Sequence, residues 1–143
     1  MSERRVESLL RIRSLQERVA RGAVARARYR ASAASAAEQQ IWASLQDAST
    51  DVAGTQEGAM FLAAQHNIQA GLSLARLRRS HAERRADELR SEMHAWEATA
   101  QRLEATERLS AREAEATAAM DLRRANHEMD EVAGVRHTRE AQS

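Results

Sequence analysis

The feature that most limits the fold is a single break in an otherwise helical pattern, at residues 47–58. This stretch contains two of the five glycines, together with Asp47, Asp51 and the pair Ser49-Thr50. These residue types favour turns. The chain has no proline, which would force a helix to end. One such break in 143 residues predicts two helices folded back on each other.

The composition predicts a coiled coil rather than a thick globular core. Aromatic residues make up only 3% of the chain, and much of its 43% hydrophobic fraction is alanine. Alanine forms helices well but buries little area. With 30% charged residues, this composition is typical of coiled coils and long helices. We therefore expect an all-α fold, a long antiparallel two-helix coiled-coil hairpin in which helix 2 is longer than helix 1.

We predict a single coiled-coil domain over residues 1–143. Helix 1 is expected at about residues 3–50, the turn at about 51–58 and helix 2 at about 59–134. Gly134 is expected to cap the second helix, leaving residues 135–143 as a frayed tail.

Apolar residues in helix 2 recur in alternating steps of four and three, the spacing of a coiled-coil seam. This predicted seam comprises Phe61, Gln65, Ile68, Leu72, Ala75, Arg79, Ala82, Ala86, Leu89, Met93, Trp96, Ala100 and Leu103. It fades from Glu107 and returns in a new phase at Leu122, Ala125, Met129 and Val132.

In helix 1 the apolar residues form two stripes, with a phase slip near Gly22. The first stripe comprises Val6, Leu9, Ile12, Leu15 and Val19. The second comprises Ala27, Ala31, Ala34, Ile41, Leu45, Ala48 and Val52.

Charge along the chain favours antiparallel pairing. Residues 1–30 have nine arginines and three acidic residues, whereas residues 31–60 have four acidic residues and no arginine. Folding the chain near residue 55 places the acidic 31–52 stretch opposite the basic 58–79 stretch. It also places the basic start opposite residues 80–109, which contain seven acidic residues. Charges beside a seam set the orientation of the partner helix.

The same register predicts that helix 2 outruns helix 1. With a turn near residue 55, Glu3 lies opposite about residue 107, so residues 108–134 are expected to project as a single helix. The renewed apolar stripe there has no internal partner. Such a face indicates either weak self-association or docking of another protein by helix-in-groove recognition.

The residues predict no catalytic, cofactor or metal site, and therefore not an enzyme. Cysteine is absent, and none of the five histidines has the Glu-x-x-His or His-Glu-x-x-His spacing of metal sites. The basic N-terminal segment lacks interleaved aromatic residues, and the net charge of the chain is only +1. We therefore expect no nucleic-acid binding. No apolar run is long enough to insert into a membrane, and the N-terminus lacks a signal-peptide core.

Several segments resemble the flagellar FliJ proteins. They are residues 9–18 (LLRIRSLQER), Trp96, residues 101–105 (QRLEA), residues 108–109 (RL) and residues 129–133 (MDEVA). The chain length, the lack of cysteine and the break near residue 55 also fit this family.

The resemblance implies a stalk component of the type III flagellar export apparatus, cytoplasmic and peripheral at the inner membrane. Its terminal end would insert into the hexameric export ATPase, its middle would contact the export-gate membrane protein, and it would assist export chaperones. The implied ring-contact residues are Arg4, Arg5, Leu9, Arg13, Leu122, Arg123, Arg124, Met129, Asp130 and Val132. The implied gate-contact residues are Ile68 and Leu72.

Two alternatives to this function stay open. One is the equivalent stalk protein of a virulence type III secretion system, which would share the fold. The other is a structural coiled-coil adaptor in which two chains dimerise through their projecting helices.

Overall fold

The computed structural model describes residues 2–54 and 57–143, which form two long α-helices. α1 spans Glu3–Ala53 and has 51 residues, and α2 spans Gly58–Gln142 and has 85 residues. Met1 lies outside the described residues, as do Thr55 and Gln56 in the middle of the predicted turn. The predicted all-α fold with a longer second helix is confirmed.

The helix ends differ in detail from those predicted. α1 continues to Ala53, where the N–H of Gly54 donates to the carbonyl of Asp51. α2 passes through Gly134 and continues to Gln142, so the segment expected to fray is helical. No described glycine has the positive φ that a glycine helix cap adopts. Glycine inside a helix costs about 1 kcal/mol relative to alanine, which is not enough by itself to end one.

Contacts divide the chain into two compact units. The terminal unit contains residues 2–16 of α1 and Ala100–Ser143, and the hairpin unit contains Glu17–Thr99.

Two contacts establish antiparallel pairing in the hairpin unit. Near the turn, Gly71 lies so close to Leu45 that a Cβ at Gly71 would be 2.5 Å from Leu45 Cδ2. At the far end, Trp96 Nε1 donates to Glu17 Oε1 at 3.0 Å. Moving from Leu45 back to Glu17 therefore corresponds to moving forward from Gly71 to Trp96, so the helices run in opposite directions.

The least exposed positions of α1 recur in steps of three and four with no phase slip. They are Val6, Leu10, Arg13, Glu17, Ala20, Val24, Ala27, Ala31, Ala34, Glu38, Ile41, Leu45, Ala48 and Val52. The first predicted stripe was therefore wrong beyond Val6 and Leu9. Ile12, Leu15 and Val19 are 54%, 60% and 62% exposed. The α1 seam runs through Arg13, Glu17 and Ala20 instead. Ile12, Leu15 and Val19 therefore lie on the outward face of the helix.

In α2 the predicted seam is largely confirmed. Its members Ile68, Leu72, Ala75, Ala82, Ala86, Leu89, Met93, Trp96, Ala100 and Leu103 are buried or half-buried. Gln65 and Arg79 are exposed, as is Phe61 near the turn.

The core is thin. Its buried apolar residues are Val6, Val24, Ala27, Ala34 and Ala75, and no large side chain of the described residues is completely buried. Burying a valine contributes about 1.5–3 kcal/mol and alanine less, because the hydrophobic contribution scales with area. The high helix propensity of alanine therefore has to support a structure with little buried area.

A buried carboxylate joins the two helices of the hairpin unit. The Glu17 side chain is only 8% exposed. Besides the Trp96 indole, it accepts hydrogen bonds from Arg21 Nε at 3.0 Å and from Arg21 Nη2 at 2.6 Å. The bonds from Arg21, and then that from Trp96, hold the pKa of Glu17 below its ordinary value, although burial acts in the opposite direction. A buried charge is tolerated when it is paired in this way.

Charged residues of the two helices also lie near each other at the surface of the hairpin unit. Arg26 and Arg30 of α1 line the same depression as Glu88 and Glu92 of α2. This arrangement agrees with the predicted placement of the basic start opposite residues 80–109. Opposite charges at a protein surface contribute only about 0–1 kcal/mol per pair, so this arrangement adds little to stability.

The close approach at Gly71 predicts coupling between two substitutions. Gly71→Ala should stabilise a Leu45→Ala variant by about 1 kcal/mol, the gain in helix propensity. In the wild-type background the new methyl group displaces Leu45, which offsets that gain. A double-mutant cycle from urea denaturation measures the coupling, and equal effects in both backgrounds would contradict this packing.

Glu17 predicts a defined pH dependence of stability. Its folded-state pKa is lowered, so its stabilisation is complete above the ordinary glutamate pKa and is lost as pH falls through the folded value. The melting temperature of Glu17→Gln should lie below that of the wild type at pH 7, and the two should converge in acid. Glu7→Gln, which alters an exposed pair with Arg11, is the control and should show the smaller difference at pH 7. A Glu17→Gln difference that is constant with pH would contradict this role.

Candidate protein-docking site

In the terminal unit, α1 covers α2 only as far as residue 113. Val6 is 2% exposed and Thr106 is 6% exposed, and Leu109, Ser110 and Glu113 are half-buried. From residue 114 onward every residue is exposed. The uncovered part of α2 therefore begins at residue 114 rather than at about 108, the predicted position.

The uncovered helix, residues 114–142, has apolar side chains on one face. Leu122, Met129 and Val132 are 64%, 70% and 69% exposed. Together with Ala118 and Ala125 they are spaced in steps of three and four, which places them along one side of the helix. We call these five residues the apolar stripe. Within the described part of the terminal unit nothing covers them.

All ten residues expected to contact an ATPase ring belong to the terminal unit. On α1, Arg4 and Arg5 are exposed, whereas Leu9 and Arg13 are half-buried beside α2. The Arg13 guanidinium donates from Nη1 to Gln16 Oε1 at 3.1 Å. Arg13 therefore belongs to the α1 seam and Leu9 lies next to it, so their roles in helix packing and partner contact overlap.

On α2 the six expected contact residues do not share one face. Leu122, Met129 and Val132 lie in the apolar stripe, but Arg123, Arg124 and Asp130 lie outside it. At about 100° per residue, Arg123 is well over a quarter turn from the stripe. A partner that covers the stripe alone would not contact all three charged residues.

The two helical parts of the terminal unit differ in charge. Residues 2–16 contain four arginines and two glutamates, whereas residues 114–142 contain six acidic residues and four arginines. Within each helix, neighbouring side chains also contact each other. Arg11 Nη2 lies 2.8 Å from Glu7 Oε1, and His127 Nδ1 lies 3.8 Å from Glu131 Oε1.

The expected gate-contact residues, Ile68 and Leu72, lie in the hairpin unit and are half-buried against α1. Nearby apolar side chains are more exposed, with Leu62 at 68% and Leu77 at 67%. Sequence reasoning missed these two, as it missed the outward position of Ile12, Leu15 and Val19. The signal that could have placed the latter three is the seam traced back from Val24 in steps of four and three.

The described residues contain neither a metal site nor a membrane-spanning helix. No group of three or more His, Asp or Glu side chains there could hold a metal ion. None of the described helix segments combines the length and hydropathy needed to cross a membrane. No protein-family model, curated protein or solved structure matches the chain.

The exposure of residues 114–142 predicts that they add no tertiary stabilisation. Removing residues 117–143 should change the free energy of unfolding by less than about 0.5 kcal/mol, because changes away from packed or buried features have effects of this size. Urea denaturation followed by circular dichroism measures this. A loss above about 2 kcal/mol would show that the segment packs against the rest of the molecule.

Proposed function

We propose that this protein is a non-enzymatic stalk and regulatory component of the flagellar type III export ATPase complex. The supporting observation is the uncovered end of α2, in which a helix bears an exposed apolar stripe at residues 118–132. The resemblance of residues 9–18 and 129–133 to FliJ proteins supports the same role. The virulence-type stalk and the dimerising adaptor remain the alternatives.

In this proposal the uncovered helix enters the ring of the hexameric ATPase, and the apolar stripe docks in a groove on a ring subunit. Helix-in-groove recognition uses anchors at this spacing. Arg4 and Arg5 of α1 and Arg123, Arg124 and Asp130 of α2 lie outside the stripe and would contact other parts of the ring.

Regulation would follow from unequal contacts with the ring subunits. A ligand shifts a conformational equilibrium only by binding the states with different affinity. A single helix with one apolar face cannot present that face to six subunits at once, so it would favour a different conformation in the subunit that it touches. The ring would supply every catalytic group for ATP hydrolysis.

The remaining parts of the proposal concern the export apparatus at the inner membrane. The hairpin unit would contact the export-gate protein, and export chaperones would be further partners. Ile68 and Leu72 stay the predicted gate residues, and partial burial of both supports a role in helix packing as well. Leu74 and Leu77, which are 40% and 67% exposed, are the more accessible apolar groups nearby.

The proposal predicts that one apolar substitution weakens ring binding and a matched one does not. Met129→Asp should weaken binding to the cognate export ATPase by about 10- to 100-fold. This follows from the loss of roughly 1.5–3 kcal/mol of side-chain burial. Met120→Asp is the control, because Met120 is 52% exposed on the opposite side of the same helix. Binding is measured by biolayer interferometry, and stimulation of ATP hydrolysis is measured in parallel.

Unchanged binding by Met129→Asp, with helicity preserved, would show that the apolar stripe is not the ring contact. Light scattering tests the adaptor alternative, since a stable dimer that Met129→Asp dissociates would favour it. Pull-downs with the flagellar and the virulence-type ATPase of the same organism distinguish the two secretion systems.

A further inference from the structure

The two edges of the apolar stripe differ in chemistry. Asp121 and Glu128 lie along one edge, seven residues apart, and both are exposed. Ala119, Asn126 and Ala133 lie along the other edge, also exposed and without charge. The residues of each edge repeat every seven positions, so both edges follow the stripe along the helix.

This asymmetry disfavours pairing between two copies of the helix. With the stripe at the a and d positions of a heptad, Asp121 and Glu128 occupy g and the uncharged residues occupy e. An antiparallel dimer would bring g positions together and oppose acidic side chains. A parallel dimer would place them beside Ala119, Asn126 and Ala133, none of which can form an ion pair.

We infer that the occupant of the apolar stripe is a different protein, whose groove is basic along one edge only. This inference rests on the proposed function, and it specifies the surface that the ATPase subunit presents. Arginine or lysine side chains of the groove would face Asp121 and Glu128. Along the opposite edge, the small side chains at 119 and 133 permit close approach of the groove wall.

A charge on one edge also determines how the helix lies in its groove. Rotating the helix about its axis, so that the stripe leaves the groove floor, moves Asp121 and Glu128 away from their basic partners. Electrostatic complementarity of this kind contributes more to orientation and association rate than to affinity. The acidic edge therefore selects one rotational setting of the uncovered helix in the ring.

The test compares two glutamates three residues apart on the uncovered helix. Glu128→Arg should weaken binding to the cognate export ATPase by about three- to tenfold at low ionic strength, chiefly by slowing association. Glu131→Arg makes the same charge change on the side away from the stripe and should alter binding by less than about twofold. The difference between the variants should shrink in 0.5 M salt, where charges are screened beyond about 4 Å.

Asp121→Arg is a second test of the acidic edge and should weaken binding to the ATPase as Glu128→Arg does. Circular dichroism confirms that each variant keeps its helicity. Wild-type binding with equal losses for Glu128→Arg and Glu131→Arg would overturn the one-sided basic groove and leave the proposed function intact. No wild-type binding to the ATPase would overturn both. A wild-type dimer dissociated by Met129→Asp would also overturn the inference, because the occupant would then be a second copy.

Discussion

Helix 2 can be covered by helix 1 only as far as helix 1 extends, and this constraint determines where the molecule has a free surface. α1 has 51 residues and α2 has 85. Their antiparallel packing brings the start of α1 beside residues 100–113 in the terminal unit, and residues 114–142 are left uncovered. The uncovered surface follows from this inequality of length.

The seam between the helices buries little, so its specificity depends on a few contacts. Alanines at 27, 34 and 75 let the backbones approach, but they provide little area to distinguish one register from another. Leu45 against Gly71 and Glu17 against Trp96 are contacts that a shifted register would lose. Glu17 is the more demanding of the two, since a buried carboxylate without its donors is costly. A polar group in a seam is a known means of specifying register.

Much of this architecture could be predicted from particular residues. The turn residues near Gly54, the absence of proline and the heptad from Ile68 to Leu103 predicted two helices and the seam of the second. The apolar spacing at the start of α1 predicted the wrong seam there, because Ile12, Leu15 and Val19 form a regular stripe that faces outward. A helix has two sides that can each have such spacing, and only the partner helix decides which one is buried.

The sequence by itself determined the helical fold, the break between the two helices and the apolar stripe of Leu122, Met129 and Val132, because these depend on local propensity and spacing. Only the tertiary structure decided that Glu17 lies in the seam and that α1 covers α2 only as far as Glu113. Both depend on the register between two distant segments. That register is set by packing across the helices, which no local pattern in either helix contains.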